Sequence, residues 1–347
     1  MPTRLLFSYF MGKMKLRTIG TDSVGRIGLG CMGMSWAYSK PDPSDESLAV
    51  LERALELGVN HWDTADLYGA GENEKLIGPT VKRLRDKIFL ATKFGNVYDR
   101  TLTAHQDLVE QNVPWIVDGT PDYVKKSVEL SLQRLGVDHI DLYYQHRVDP
   151  RVPIEDTVGA MAQAVKDGKV RFLGLSEASA ETVRRAHSTH PIAAVQSEYS
   201  LWTRDYENDV IPLTKELGIA FVPYSPLGRG FLTGEIKSID DLEPDDWRRN
   251  NPRFQGENFA KNLEMVELVK RIATEKGALP AQIALAWVLA QGENMMPIPG
   301  TKRLKYLTQN AEADSVELTR SEIEELNGLQ PAVGERYPGT AMSMVNR

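Results

Sequence analysis

Short apolar, β-branched runs alternate along this chain with amphipathic helical stretches, and that alternation limits the fold more than any other feature. The runs fall at 26–30, 59–63, 88–93, 140–145, 170–175, 193–197, 220–224 and 295–298, and the repeat is very roughly 30 residues long. Helical periodicity fills 44–57, 121–135, 155–166, 180–188, 207–217 and 264–276. In the first of these, Leu48, Leu51 and Leu55 share a face, Ser44 is placed to cap the start, and Gly58 ends the helix. Strands separated by helices pair in parallel through right-handed crossovers, which leaves an open doubly wound sheet or a closed (β/α)8 barrel.

No Ser/Gly-rich linker or shift in composition splits the chain, and 347 residues suit one barrel. Residues 1–13 read as an N-terminal extension, 14–330 as the barrel and 331–347 as a C-terminal tail. Segment 225–261, rich in Gly, Asp and Pro, reads as a long loop on one barrel end, with its acidic run at 240–246 a solvated surface. A formal net charge of −7 argues against a nucleic-acid or membrane-surface binder, because phosphate neutralisation needs a basic face. No apolar stretch reaches the ~20 residues of a membrane helix. The run at 5–10 is too short, and too close to Lys13 and Lys15, for a secretory signal. The single cysteine, Cys31, excludes an intrachain disulfide and a cysteine zinc framework, which favours a reducing, cytoplasmic setting.

Residues 28–33 match G-x-G-x-x-G after a strand. The dinucleotide fingerprint requires its third glycine to open a helix, and here 34–43 intervenes with Pro41 and Pro43. The reading is therefore a glycine turn at a strand end, which can still line a pocket through Gly30, Cys31 and Met32.

Polar residues able to do chemistry stand at the carboxyl ends of different strands: Asp63, Lys93, His146, Ser176 with Glu177, Gln196 and Tyr224. In a closed barrel all strand C-termini meet at one face, where barrel active sites are found, so this clustering favours the (β/α)8 barrel with its active site there. Taken singly, each has a structural explanation: a turn cap for Asp63, a surface cation for Lys93, a satisfied core histidine for His146.

Residues 58–69 read GVNHWDTADLYG and are followed by Asn73-Glu74 and Ile77-Gly78. Further along come Ala91-Thr92-Lys93, DLYYQH at 141–146, Gly174-Leu175-Ser176, VQSEY at 195–199, PYSPLG at 223–228 and IPGTK at 298–302. In this order, across roughly residues 14–330, the chain resembles the aldo-keto reductases. GCMGMS at 30–35 and YYQHR at 143–147 are similar to the branch holding auxin-induced-protein-like, perakine-reductase-like and pyridoxal-reductase-like enzymes. Glu177 stands where many relatives carry asparagine, and the stretch before Ile27 is short for the family's N-terminal hairpin.

The resemblance implies an NADPH-dependent oxidoreductase that reduces aldehydes or ketones, with a small-molecule carbonyl as its partner. Reducing a carbonyl needs a hydride on carbon and a proton on oxygen. A phenol with an ordinary pKa near ~10 can give that proton if a lysine ammonium stabilises its anion and an aspartate keeps the lysine charged. Tyr68, Lys93 and Asp63 supply those parts, with Tyr68 leaving the same strand as Asp63. By resemblance, His146 donates to the substrate oxygen. Resemblance also places Tyr224 against the nicotinamide, Ser176 and Gln196 on its carboxamide, and Ser225, Leu227 and Arg229 over the pyrophosphate. The turn Gly300-Thr301-Lys302-Arg303, with Lys305, puts cations at a helix start where the 2′-phosphate of NADPH fits, and by resemblance Gln309 and Asn310 then face adenine. Trp36, Tyr98, Trp202 and 99–120 are candidates for the substrate pocket.

Two other readings remain at this point. Some proteins of this superfamily are cofactor-binding regulatory subunits of channels, and the catalytic residue types do not separate them. A metal-dependent hydrolase barrel would have only His187/His190 and Asp138/Asp141 as ligand pairs.

Overall fold

The computed structural model describes residues 14–36, 45–339, 342 and 345–346. The extension 1–13 and the Ser44 cap lie outside the described residues.

Strands β1 (Leu16–Ile19) and β2 (Asp22–Gly25) form an antiparallel hairpin, so the family's N-terminal hairpin fits into the stretch that the sequence made look short. It turns at Gly20, whose φ of 59° suits glycine and whose missing side chain leaves room for the Phe172 ring. Ile19 and Val24 pack with Phe89, Leu142, Val222 and Met296 inside the barrel, which makes the hairpin its floor.

Seven parallel strands follow in chain order: β3 (Leu29–Gly30), β4 (His61–Asp63), β5 (Phe89–Phe94), β6 (Ile140–Gln145), β7 (Val170–Ser176), β8 (Ile192–Glu198) and β9 (Ala220–Tyr224). The eighth stave is the segment read as a strand at 295–298. Met296 and Ile298 donate their N–H groups to Phe221 and Pro223 of β9, at 2.8 and 3.0 Å. On the other side Gly28 and Gly30 donate to the carbonyls of Pro297 and Pro299, at 2.9 and 3.4 Å. The two prolines have no N–H to return, so the ladder to the β3 side is half made and regular strand gives way to isolated bridges. The chain closes as a (β/α)8 barrel. Gly30 and Gly300 meet at this seam, where a Cβ on Gly30 would lie 2.9 Å from the Ile298 carbonyl.

The outer layer holds α1 (Asp45–Glu56), α2 (Glu72–Arg83), α3 (Gln106–Glu110), α4 (Pro121–Leu135), α5 (Ile154–Lys166), α6 (Ala180–Thr189), α7 (Val210–Glu216), α8 (Gly256–Lys276), α9 (Pro280–Ala290), α10 (Leu304–Glu312) and α11 (Arg320–Asn327). A second, larger core lies between this layer and the strands. The helix expected over 207–217 starts later. Asp209 caps Val210 N–H at 2.5 Å, and Tyr206 turns away to give its hydroxyl to Glu177 at 2.7 Å. Segment 225–261 is not wholly loop, because α8 already begins at Gly256. Helix α9 is buried on every side, Ile283, Leu285, Trp287 and Val288 included, so it lacks the polar stripe by which periodicity finds a helix. Among the described residues no helix is long and apolar enough to cross a membrane.

Candidate active site

The strand C-termini bring Asp63, Lys93 and Gln196 together. Lys93 is fully buried and spends its three donors on the Asp63 carboxylate, the Thr64 carbonyl at 2.9 Å and the Tyr68 hydroxyl at 3.2 Å. The other Asp63 oxygen accepts the Gln196 amide at 2.8 Å. Burial works to lower the Lys93 pKa, but Asp63 and Tyr68 outweigh it and hold the ammonium above its ordinary value. The Tyr68 backbone is held from the outer side, its carbonyl accepting Asn73 N–H at 3.1 Å. Asn73 at the start of α2 accepts the Thr64 hydroxyl at 2.6 Å and donates to Cys31 O at 2.9 Å and to Ser35 Oγ at 2.7 Å, tying the β3 and β4 loops together.

Burial pushes the Tyr68 phenol above its ordinary pKa, and the Lys93 ammonium opposes that rise without overcoming it. The phenol is therefore a protonated acid throughout the neutral range, and the work of Lys93 is to stabilise the anion left after the proton goes.

His146 leaves β6 with its N–H on Phe94 O at 2.7 Å and sets its ring edge-on to Tyr68, centroids 5.8 Å apart. Burial, with Arg147 and Lys93 adding positive charge nearby, keeps its pKa well below the ordinary value, so the imidazole is neutral. Its Nδ1 is buried without a hydrogen-bond partner. Arg147, which sequence reading passed over, donates to His146 O at 2.7 Å and to Ser176 Oγ at 3.4 Å. Trp36 stacks on Tyr68 at 5.7 Å and is 38% exposed, which makes it a wall of the mouth. Tyr98 instead accepts from Arg134 at 2.8 Å. Trp202 is corrected outright: it is fully buried against Phe231 and Phe254 and lines core, not pocket.

Register sets Ser176 beside Gln196 and Glu198 beside Tyr224. Gln196 spends its amide N–H on Asp63, so it belongs as much to the catalytic group as to a carboxamide site. Glu177 takes φ 54° and has both carboxylate oxygens engaged, by Glu198 N–H, Tyr206 OH and the Arg336 guanidinium. After β9, Ser225 takes φ 49° and Leu227 leads into a 3-10 turn carrying Arg229. Arg229 bonds Glu198 at 2.7 Å and lies 4.5 Å from the Trp247 ring centre. At the seam, Cys31 N–H bonds Asp63 O at 2.8 Å, and Met32 opens a short 3-10 turn that ends at Met34. Burial pushes the Cys31 thiol far up, which makes it inert as a nucleophile.

Beyond Gly300, Thr301 Oγ1 accepts Arg303 N–H at 3.1 Å and α10 begins. Arg303 meets Glu46 of α1 at 2.6 Å, and the same carboxylate accepts Leu304 N–H at 3.3 Å. A carboxylate thus accompanies the cations at this helix start. Lys302 is partly buried, and Lys305 lies over the Tyr306 ring at 5.3 Å. On α10, the Gln309 carbonyl accepts the Gln282 amide at 3.2 Å and Asn310 is buried.

The hydrolase ligand pairs do not form a centre. His187 Nδ1 accepts Ile192 N–H at 3.1 Å, and Asp141 takes Leu90 N–H at 2.7 Å and Arg171 at 2.8 Å. Among the described residues the one His/Asp group with atoms within 4.8 Å is His105, Asp118 and Asp149. Asp118 there is filled by Thr103, Ala104 and Thr120, and Asp149 by His105, Gly119 and Arg151, which staples the loop before α4 to the loop after β6.

Comparison with known proteins bears directly on this geometry. Residues 26–331 match the sequence profile described as the Aldo/keto reductase family. The chain is 49% identical over 317 residues to aldo-keto reductase str7 of Strobilurus tenacellus, covering 88% of this chain and 89% of that one. It is 46% identical over 337 residues to aldo-keto reductase yakc [NADP(+)] of Schizosaccharomyces pombe, covering 95% and 96%. In structure it is similar to the glycerol dehydrogenase AKR11B4 from Gluconobacter oxydans, with a TM-score of 0.79, 29% identity and coverage of 90% and 94%.

Proposed function

The chain belongs to the aldo/keto reductase family, and from that premise we propose that it is an NADP(H)-dependent oxidoreductase reducing aldehydes or ketones to alcohols, with Tyr68 as general acid. The observation that carries this reading is the buried Asp63–Lys93–Tyr68 line, with the Tyr68 hydroxyl 3.2 Å from the Lys93 ammonium and beside a neutral His146 at the barrel mouth.

The residues present fit the cofactor. A hydroxyl at Ser176, a flat aromatic at Tyr224 and the unpartnered Nδ1 of His146 suit an amide-bearing ring and its substrate. The Gly30–Gly300 seam leaves backbone where a side chain would intrude, and Lys302 and Arg303 supply charge for a phosphate. On this reading Ser176, Gln196 and Tyr224 hold the nicotinamide and Ser225, Leu227 and Arg229 the pyrophosphate. Lys302, Arg303, Gln309 and Asn310 hold the adenosine end, and Gly30, Cys31, Met32, Gly300 and Thr301 line the cofactor groove along the seam.

Bound NADPH supplies the hydride to the carbonyl carbon. His146 donates to the carbonyl oxygen and orients it as negative charge grows there. Tyr68 then gives its proton to that oxygen, and the Lys93 ammonium stabilises the phenolate left behind. Asp63, itself held by Gln196, keeps Lys93 charged and aimed. The test is NADPH oxidation against a panel of aldehydes, ketones and pyridoxal. Turnover of any of them supports the reading; tight NADPH binding without turnover of any substrate would favour the regulatory-subunit reading instead.

A further inference from the structure

We propose that the C-terminal segment carrying Arg336 and Tyr337 completes the nicotinamide end of the site, with Arg336 as a positioning residue that sets Tyr337 against Tyr224. This rests on the reading of Tyr224 as the nicotinamide platform.

The side chain of Arg336 is only 1% exposed, although it belongs to a segment that sequence sets apart as a tail. A guanidinium is buried at a cost unless a partner matches it, and a carboxylate with both oxygens available is that match. Glu177, at the end of β7, provides it. Its two oxygens accept Arg336 Nη1 and Nη2 at 3.3 and 3.0 Å, while Glu198 N–H and Tyr206 OH complete its shell at 2.9 and 2.7 Å. The Arg336 guanidinium beside Glu177 holds that carboxyl down at about 2 against the effect of burial, so the pair stays charged through the working range. This accounts for the acidic residue at 177: it faces the tail and not a carboxamide.

The backbone of the segment is fixed independently. Ala332 N–H bonds Trp202 O at 3.2 Å, Asn262 accepts Val333 N–H at 2.8 Å, Arg253 donates to Gly334 O at 2.9 Å and Asn251 to Arg336 O at 2.8 Å. The next residue, Tyr337, is thereby delivered to the mouth. Its hydroxyl lies 2.8 Å from the Tyr224 hydroxyl, and its ring centre lies 4.9 Å from the Arg229 guanidinium. One side chain thus touches both the residue assigned to the nicotinamide and the residue assigned to the pyrophosphate. Without the Tyr337 hydroxyl, the Tyr224 ring loses the hydrogen bond that fixes its outer end.

The test uses the full chain with Tyr337→Phe, the double variant Glu177→Gln with Arg336→Met, and Tyr224→Ala, measuring NADPH dissociation by cofactor fluorescence, thermal midpoint, kcat and aldehyde KM. Removing both charges of the pair together avoids stranding a buried ion. Tyr337→Phe should leave the thermal midpoint in place, weaken NADPH binding by about two- to tenfold, the usual worth of one neutral hydrogen bond, and leave the aldehyde KM at saturating NADPH unchanged. The double variant should fold and weaken NADPH binding at least as much. Wild-type NADPH affinity in both, with weak binding by Tyr224→Ala, would overturn the role of the tail alone. Wild-type affinity in Tyr224→Ala would overturn the platform reading and this inference with it.

Discussion

His61, at the start of β4, gives a stability prediction that owes nothing to the proposed activity. Its ring is fully buried beside Phe89, centroids 5.6 Å apart, and neither ring nitrogen has a hydrogen-bond partner. Burial pushes its pKa down to about 4, against opposition from the Asp63 charge. In the unfolded chain the same imidazole takes a proton near pH ~6.5. As pH falls from about 6.5 to about 4 the unfolded state therefore binds a proton that the native state refuses, and stability drops. At ~1.4 kcal/mol per pH unit the loss over that window is of the order of 3 kcal/mol. His61→Leu removes both this loss and the desolvation of two unpaired nitrogens, itself worth roughly 1–3 kcal/mol per group. The variant should be at least as stable as wild type at pH 7.5 and gain on it steadily from pH 6.5 downward. Urea unfolding at pH 7.5, 6.0 and 5.0, about the spacing that resolves such a slope, measures both proteins. Parallel curves, with the same pH dependence in each, would refute the reasoning.

Lys93→Met should lower kcat by about a hundredfold or more and, by stranding the Asp63 carboxylate, cost about 3–5 kcal/mol of stability; turnover and thermal midpoint measured together check both effects. Neutralising Lys302 and Arg303 together should weaken NADPH binding by roughly tenfold or more and leave NADH nearly unchanged, since a charge-assisted phosphate contact is worth about 1.5–3 kcal/mol. Because Arg303 is half exposed, that preference should shrink as salt rises, and dissociation constants at low and high salt test it.

Sequence made the barrel legible where the chemistry is local. Runs 140–145 and 220–224 coincide with β6 and β9 because a short, largely apolar and aromatic stretch bounded by turn signals has few other places to go. Asp63, Lys93 and His146 were legible because strand ends converge in a closed barrel. Two of the helices missed have patterns that mislead: α9 is apolar all round, and α2 buries Asn73 and Glu74 and carries Pro79 within it. Least legible were the charge pairs made by closure. Arg336 meets Glu177 across 159 residues and Arg303 meets Glu46 across 257, and no periodicity reports which ion finds which. The Gln196 contact to Asp63 and the net direction of the Tyr68 pKa depend likewise on packing that only the folded chain defines.

The central claim, that Tyr68 protonates the carbonyl oxygen, is tested most directly by single-turnover reduction of an aldehyde with pre-bound NADPH, comparing wild type with Tyr68→Phe. The variant keeps the ring and its stacking on Trp36 and loses only the hydroxyl. The account predicts a fall of at least about a hundredfold, the worth of a positioned general acid, with NADPH affinity within a few-fold of wild type. A variant that retained more than about a tenth of the wild-type rate would contradict it.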